Sequence, residues 1–179
     1  MRLCKDNLAK EYPNLGKRLS EKSVKTTPLL QNDYGEANDC TLTSICYIFG
    51  ADKYDLVETI ARKYGYRGEV GTNPLFVKRI ILGVAKKLGI KMTVYACYGK
   101  NICWCYETVK RNIDSGNILL LNLWDDGRKY YHNHTVVIVG YAEYEGGKFL
   151  LINDNWSKVT SYIDYNKLSV ISSINYIKE

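Results

Sequence analysis

The amino-acid sequence predicts an α+β protein in which a helical lobe packs on an antiparallel β-sheet. Three observations support this class. Apolar residues recur at helical spacing in the first half of the chain, and continuous or alternating apolar runs dominate after Gly89. The segment Glu-Gly-Gly at 145–147 separates two of these runs, which is a hairpin signal. The 179 residues are enough to bury the core of a single domain.

Four helices are predicted from apolar residues that repeat every three or four positions. The first follows the polar residues Asn38 and Asp39, which favour a helix start. The third has Pro74 in its first turn and ends at Gly89, as is typical of helix termini. The predicted helical ranges are 38–50, 52–65, 72–89 and 104–116.

Six strands are predicted from runs rich in β-branched, aromatic and other apolar residues. They are 91–98, 117–124, 134–144, 148–154, 158–165 and 169–177. The N-terminal region is polar and irregular, with room for one short helix. We therefore divide the chain into an N-terminal arm, 1–27, and one domain, 28–179.

The net charge of +6 is spread over the chain, and the densest basic clusters are short, as in Lys86-Lys87 and Lys110-Arg111. No nucleic-acid-binding motif accompanies them, so we expect a solvated surface and no nucleic-acid partner. No apolar run is long enough to span a membrane, and the N-terminus lacks the apolar core of a signal peptide. We expect a cytoplasmic protein as the chain stands, or a secreted one if a leader was removed; the oligomeric state stays open.

Six cysteines could form three disulfides, but a chain of this length does not need them. Cys103 and Cys105 are too close in sequence for a relaxed bridge to each other. They also lack the Cys-x-x-Cys spacing of a zinc site, and no histidine is near. We therefore expect no metal and no cofactor.

Both histidines of the chain, His132 and His134, lie at the start of an apolar strand, two positions apart and on the same face. Cys40 lies at a helix start, where unpaired N–H groups and the helix dipole favour a thiolate. Asp154 and Asn155 follow the next strand, where a carboxylate or amide can hold an imidazole in one tautomer. Together they suggest a nucleophile, a base and an orienting residue, although each also fits a structural role.

In this order the residues resemble those of the papain-like cysteine peptidases, most closely the bacterial bacteriocin-processing (double-glycine) peptidase-like group. The run 134–141, His-Thr-Val-Val-Ile-Val-Gly-Tyr, matches the strand that begins with the catalytic histidine of that family. Asp154 stands two positions before Trp156, as the third residue does in the papain branch. After Cys40 the sequence departs from the group, because Thr41 stands where glycine is common.

The resemblance implies a papain-like fold, with Cys40 as nucleophile, His134 as base and Asp154 as the residue that orients the imidazole. It also implies an upstream glutamine that donates to the oxyanion. The papain spacing places this residue at Tyr34, which has no amide, so the role passes to Gln31, the only upstream glutamine. Asn32 and Asn38 remain alternatives. The backbone N–H of the cysteine would be the second donor.

The implied function is a cysteine peptidase that forms an acyl-enzyme with a peptide or protein substrate. Two alternatives remain: a catalytically weak peptide-binding protein, and an acyltransferase with the same triad. Cell-wall endopeptidases with a Cys-His-His arrangement fit less well, because no histidine follows His134. If His132 were the base, the run from the base to Gly140 would be two residues longer than in the family pattern. Asn155 as orienting residue would need a register shift that turns its side chain away.

Overall fold

Five α-helices and seven β-strands form the parts of the chain that the computed structural model describes, residues 2–31, 38–125 and 130–178. The helices are α1 (Lys5–Glu11), α2 (Cys40–Phe49), α3 (Tyr54–Lys63), α4 (Val77–Lys87) and α5 (Tyr106–Asp114). The strands are β1 (Arg18–Ser23), β2 (Thr93–Tyr98), β3 (Leu119–Asp125), β4 (His132–Tyr144), β5 (Gly147–Asn153), β6 (Ser161–Asp164) and β7 (Ser173–Lys178).

The helical lobe consists of α2, α3 and α4, which bury one apolar face each. Their spacing of three or four residues places these side chains on one stripe of each helix. The stripes meet in a common core with two residues of the sheet, Val94 of β2 and Leu120 of β3. The members from the helices include Leu42, Ile45, Val57, Ile60, Val77, Ile80, Ile81 and Val84.

The sheet is antiparallel throughout, in the order β2-β7-β3-β4-β5-β6, and β1 pairs with the second half of β4. β4 is the central strand, and it is buried on both faces. Val136 and Ile138 pack in the core beneath α5, whereas Val137 and Val139 pack against the N-terminal region. The continuous apolar run of this strand follows from its burial on both sides.

The predicted α+β class, with a helical lobe on an antiparallel sheet, is confirmed. All the predicted helices and strands are present, with shifted ends. The largest shift is at the start of α4, where residues Pro74–Phe76 form a 3₁₀ turn instead of the first turn of the helix. The Asn73 side chain accepts a hydrogen bond from the Leu75 amide at 3.0 Å and caps this turn.

The N-terminal region is more ordered than its composition suggested, because it contributes α1 and the strand β1 to the fold. Leu3 and Leu8 are buried against the sheet. β1 was missed because its sequence, Arg-Leu-Ser-Glu-Lys-Ser, has no apolar alternation and its residues are mostly exposed. It approaches β4 closely at Gly140, where an added Cβ would lie 2.5 Å from the Lys22 carbonyl oxygen. Among the described helices, none has the length and apolar character to cross a bilayer.

Candidate active site

A cleft of about 610 Å³ lies between the helical lobe and the sheet, and Cys40, His134 and Gln31 all line it. One wall comes from the start of α2 and the loop 69–75, and the other from the ends of β3 and β4 and from 171–173. The predicted nucleophile, base and oxyanion donor therefore line the same cleft. Further lining residues include Thr41, Asn122, Trp124, His132, Thr135 and Trp156.

Cys40 is the first residue of α2, at the end of the helix where backbone amides lack intrahelical partners. The hydrogen bond from the Thr43 amide to the Asp39 carbonyl closes the first turn at 2.9 Å. Burial raises the pKa of the Cys40 thiol, and hydrogen bonds with Thr135 and Thr41 oppose this increase in part. This direction is opposite to the one expected from the helix terminus, because the loss of hydration outweighs the hydrogen bonds that favour the thiolate.

His134 is held by its Nε2 atom, which lies 2.7 Å from the backbone carbonyl oxygen of Asp154. A carbonyl oxygen only accepts, so Nε2 carries a proton, and in the neutral ring Nδ1 is the basic nitrogen. Burial lowers the pKa of His134, and the Asp154 carbonyl and carboxylate oppose this decrease in part. A neutral imidazole with a basic Nδ1 is the form that a general base requires.

The Asp154 carboxylate makes its hydrogen bonds to groups other than the imidazole. Its Oδ2 accepts from the hydroxyls of Tyr131 at 2.7 Å and Ser161 at 3.2 Å. Its Oδ1 accepts from the backbone amides of Trp156 at 3.1 Å and Ser157 at 3.0 Å. The carboxylate thus fixes the turn whose carbonyl oxygen holds the imidazole.

Trp156 connects the histidine with the predicted oxyanion donor. Its ring stacks on His134, with centroids 4.1 Å apart and planes at 25°. Its Nε1–H donates to Gln31 Oε1 at 3.1 Å. Because an indole nitrogen only donates, the oxygen of the Gln31 amide must face Trp156, and the amide NH₂ is then left for other partners. Among the described residues, no hydrogen bond from this NH₂ is found, which suits a donor that faces a cleft.

Asn155, the alternative orienting residue, directs its side chain to α2, which carries the candidate nucleophile, and to the backbone of β4. Its Nδ2 donates to the Cys40 carbonyl oxygen at 3.1 Å, to Ser44 Oγ at 2.8 Å and to the Thr135 carbonyl oxygen at 3.1 Å. The residue has a positive φ of 60°, which interrupts the alternation of sides along a strand. The spacing of these residues along the chain does not predict these contacts.

The other predicted candidates have different surroundings. His132 is exposed, and its ring meets Trp124 edge-on at 6.2 Å between centroids. The Asn38 amide donates to the carbonyl oxygens of Gly68 and Glu69, both at 3.1 Å, so it fastens a loop of the cleft wall. Asn32 and Tyr34 lie outside the described residues.

No group of three histidine, cysteine, aspartate or glutamate side chains suited to a metal ion occurs among the described residues. Tyr131 and Trp156 contact His134, and Thr135 contacts Cys40, but none of the three is among the site residues predicted from the sequence. Trp156 could have been identified from the sequence, because its position relative to Asp154 belongs to the family pattern. Tyr131 and Thr135 could not have been identified in this way, since only the fold brings them to the site.

Comparison with known proteins supports the fold. No protein-family model and no curated protein matches the sequence. A solved structure from work on antibody cross-reactivity between the mite allergens Blo t 1 and Der p 1 is similar, at a TM-score of 0.55 and 14% identity. That likeness covers 100% of this chain and 76% of the other. A double-glycine motif protease from an AMS/PCAT transporter, solved with its leader peptide, matches at a TM-score of 0.47 and 15% identity, over 90% of this chain and 98% of the other. The likeness to the first of these structures shows that the chain has the papain-like α+β fold.

Proposed function

We propose that this protein is a cysteine peptidase with Cys40 as nucleophile and His134 as general base. One observation carries the proposal. The hydrogen bond from His134 Nε2 to the Asp154 carbonyl leaves Nδ1 as the basic nitrogen of a neutral imidazole in the cleft that Cys40 also lines. A thiol at a helix start and a basic nitrogen in the same cleft are the two groups that acyl transfer needs.

In the proposed reaction, His134 Nδ1 accepts the thiol proton while Cys40 Sγ attacks the carbonyl carbon of a peptide bond. The backbone N–H of Cys40 and the side-chain NH₂ of Gln31 donate to the oxyanion that forms. The imidazolium then gives its proton to the leaving amine, and the peptide C–N bond breaks. A water molecule, deprotonated by the same nitrogen, hydrolyses the thioester and restores the free thiol.

The pKa directions favour a neutral resting pair. Burial raises the pKa of Cys40 and lowers that of His134, so both groups are uncharged before substrate binds. Proton transfer then accompanies the attack instead of preceding it. Asp154 acts as a positioning residue in this scheme, because its carbonyl holds the imidazole and its carboxylate holds the turn.

A peptide-binding protein without catalysis is the second candidate, and the half-buried thiol with its raised pKa favours it. A thiol with a raised pKa is a weak nucleophile unless the base is well placed. The two candidates share the cleft and a peptide ligand, and they differ in whether Cys40 reacts.

Alkylation of the cysteines by limiting iodoacetamide across about pH 4–9, followed by peptide mapping, separates the candidates. Cys105 is the internal reference, because it is exposed and a hydrogen bond with Thr108 lowers its pKa. We expect Cys40 to react at least as fast as Cys105 near neutral pH, and His134→Ala to abolish this reactivity. The His132→Ala variant is the matched control and should retain it. If Cys40 reacts slowly in the native protein and His134→Ala changes nothing, the peptidase proposal fails.

Cleavage is tested with the same variants on a mixture of peptides from a digested proteome, read by mass spectrometry. The native protein should produce new peptide termini, and Cys40→Ala should produce none. Binding of peptides to both proteins, without cleavage by either, would support the second candidate instead.

A further inference from the structure

Asn155 connects the helix that carries the proposed nucleophile with the strand that carries the proposed base. The residue is 1% exposed, and its Nδ2 atom lies within 3.1 Å of three oxygens. Two of them, the Cys40 carbonyl and the Ser44 hydroxyl, belong to α2; the third, the Thr135 carbonyl, belongs to β4. Since an amide NH₂ has two hydrogens, at least one is shared between acceptors.

The main chain of Asn155 extends the same set of contacts. Its carbonyl oxygen accepts from the Gln31 amide at 3.0 Å, and the preceding carbonyl, of Asp154, holds His134. A single turn therefore contacts the segments that carry the nucleophile, the base and the oxyanion donor. The three side-chain acceptors are 115, 111 and 20 residues away along the sequence, so only the folded protein assembles them.

We propose that Asn155 is a positioning residue that sets the placement of Cys40 relative to His134. The inference rests on the proposed function, because it assigns the residue a role in that reaction. The Asn155 amide donates to the main-chain carbonyl of Cys40 and to that of Thr135, the residue directly after His134. It therefore holds the main chain at the nucleophile and next to the base. A displacement of about 1 Å between reacting groups can cost roughly a hundredfold in rate.

The Asn155→Gly variant removes the amide and leaves the backbone unstrained, because glycine tolerates the positive φ of this position. Asn153→Ala is the matched control. Asn153 is 2% exposed and ends β5 just before the same turn, but its amide donates to Thr26 Oγ1 at 2.9 Å and not to α2. Both variants lose one buried amide, and only the first loses the connection to Cys40.

We expect Asn155→Gly to lower kcat about a hundredfold with little change in KM, measured on a peptide that the native enzyme cleaves. The dependence of Cys40 alkylation on pH should move to higher pH, as the base no longer reaches the thiol in its productive geometry. Asn153→Ala should keep the native kcat and pH profile. An Asn155→Gly variant that is folded by circular dichroism and keeps both native values would overturn the inference.

Ser44→Ala covers the case in which Asn155→Gly does not fold, because it removes one acceptor and keeps the amide. We expect a smaller loss of kcat in the same direction, and an unchanged kcat would overturn the inference. Crystal structures of the native protein and of the folded variants would show the position of Cys40 relative to His134 independently of activity. We expect the backbones of Cys40 and Thr135 to separate by about 0.5 Å or more only when the contact is lost. If Cys40 is unreactive in the native protein, the proposed function fails, and this displacement alone decides whether Asn155 positions the two segments.

Discussion

His134 and Asp154 are joined through the main chain: the imidazole Nε2–H donates to the carbonyl oxygen of Asp154 at 2.7 Å. The carboxylate of the same aspartate accepts from Tyr131, Ser161 and two amides of the following turn. The tautomer of the histidine is therefore fixed by a backbone group, and the side chain fixes that backbone. The orientation of the imidazole therefore depends directly on the Asp154 carbonyl and only indirectly on the Asp154 carboxylate.

Asp154→Asn should reduce kcat/KM by less than about tenfold, because the carbonyl that holds the imidazole remains. Where a carboxylate itself fixes the tautomer of a serine-peptidase histidine, the same substitution costs about 10⁴. Loss of a charged acceptor from the turn should still lower the free energy of unfolding, by about 1–3 kcal/mol. Peptide cleavage kinetics and urea denaturation measure the two effects.

Asp164→Asn is the control for this substitution. Asp164 is 6% exposed and also accepts from a tyrosine hydroxyl and a backbone amide, those of Tyr12 and Asn166. It should lose a similar free energy of unfolding and no activity. A loss of activity of a thousandfold or so in Asp154→Asn alone would mean that the carboxylate acts directly on the imidazole.

The neutral state of His134 can be measured by NMR in the His132→Gln variant, which leaves one imidazole in the chain. Burial disfavours the charged ring, so its titration midpoint should lie below the ordinary value of 6.5. A midpoint above 6.5 would show that a thiolate or another anion stabilises the imidazolium, and the neutral resting pair would then be wrong.

The same pKa shift makes folding stability depend on pH. The unfolded chain takes up the histidine proton at a higher pH than the folded chain does, since the folded pKa is lowered. The stability contribution is therefore complete above pH 6.5 and is lost as the pH falls through the folded pKa. Urea denaturation between about pH 7 and 5 should show a smaller fall in His134→Gln than in His132→Gln.

The parts of the site that depend on local pattern could be predicted from the sequence. Cys40 follows capping residues at the start of an apolar-periodic helix, and His134 begins an apolar strand; both features are visible within about a dozen positions. The α+β class followed from the same periodicities. Gln31 is the only glutamine upstream of Cys40, and it lines the same cleft as Cys40.

The remaining parts depend on tertiary contacts that no local pattern encodes. The pKa of Cys40 is raised because folding removes much of the water around the thiol, and the helix start alone indicated the opposite. β5 ends at Asn153, and Asn155 adopts a positive φ in the turn that follows, so the directions of the side chains at 154 and 155 could not be derived from register. β1 is polar, and only its pairing with β4 makes it a strand.

Gln31 and Trp156 should be coupled in catalysis. Trp156→Phe keeps a ring to stack on His134 and removes the Nε1–H that holds Gln31 Oε1. Each of Gln31→Ala and Trp156→Phe should lower kcat, and the double variant should be little worse than Gln31→Ala alone. We expect a coupling free energy of about 0.5–3 kcal/mol from the double-mutant cycle.

Additive losses would contradict this coupling and leave Trp156 with a role in stacking only. Trp124→Phe is the matched control, because this tryptophan also lines the cleft and is 55% exposed. Its combination with Gln31→Ala should be additive within about 0.5 kcal/mol.

Thr135→Val should lower the free energy of unfolding and slow the alkylation of Cys40. The Thr135 hydroxyl donates to Asn122 Oδ1 at 3.0 Å and lies 2.8 Å from the Thr41 hydroxyl, which must then be the donor to it. Valine has nearly the same shape and leaves these buried groups without their partner, at a cost of about 1–3 kcal/mol in the free energy of unfolding. The Thr135 hydroxyl has one hydrogen, which it gives to Asn122 beside the neutral thiol and to Sγ when the thiolate forms; valine removes this stabilisation of the thiolate, so alkylation of Cys40 should shift to higher pH. Thr93→Val, on the exposed side of β2, should change the free energy of unfolding by less than about 0.5 kcal/mol. Thr135→Ser, which restores the hydroxyl, should recover the native pH profile, and a profile that stays shifted would mean that the methyl group, not the hydrogen bond, controls the thiol.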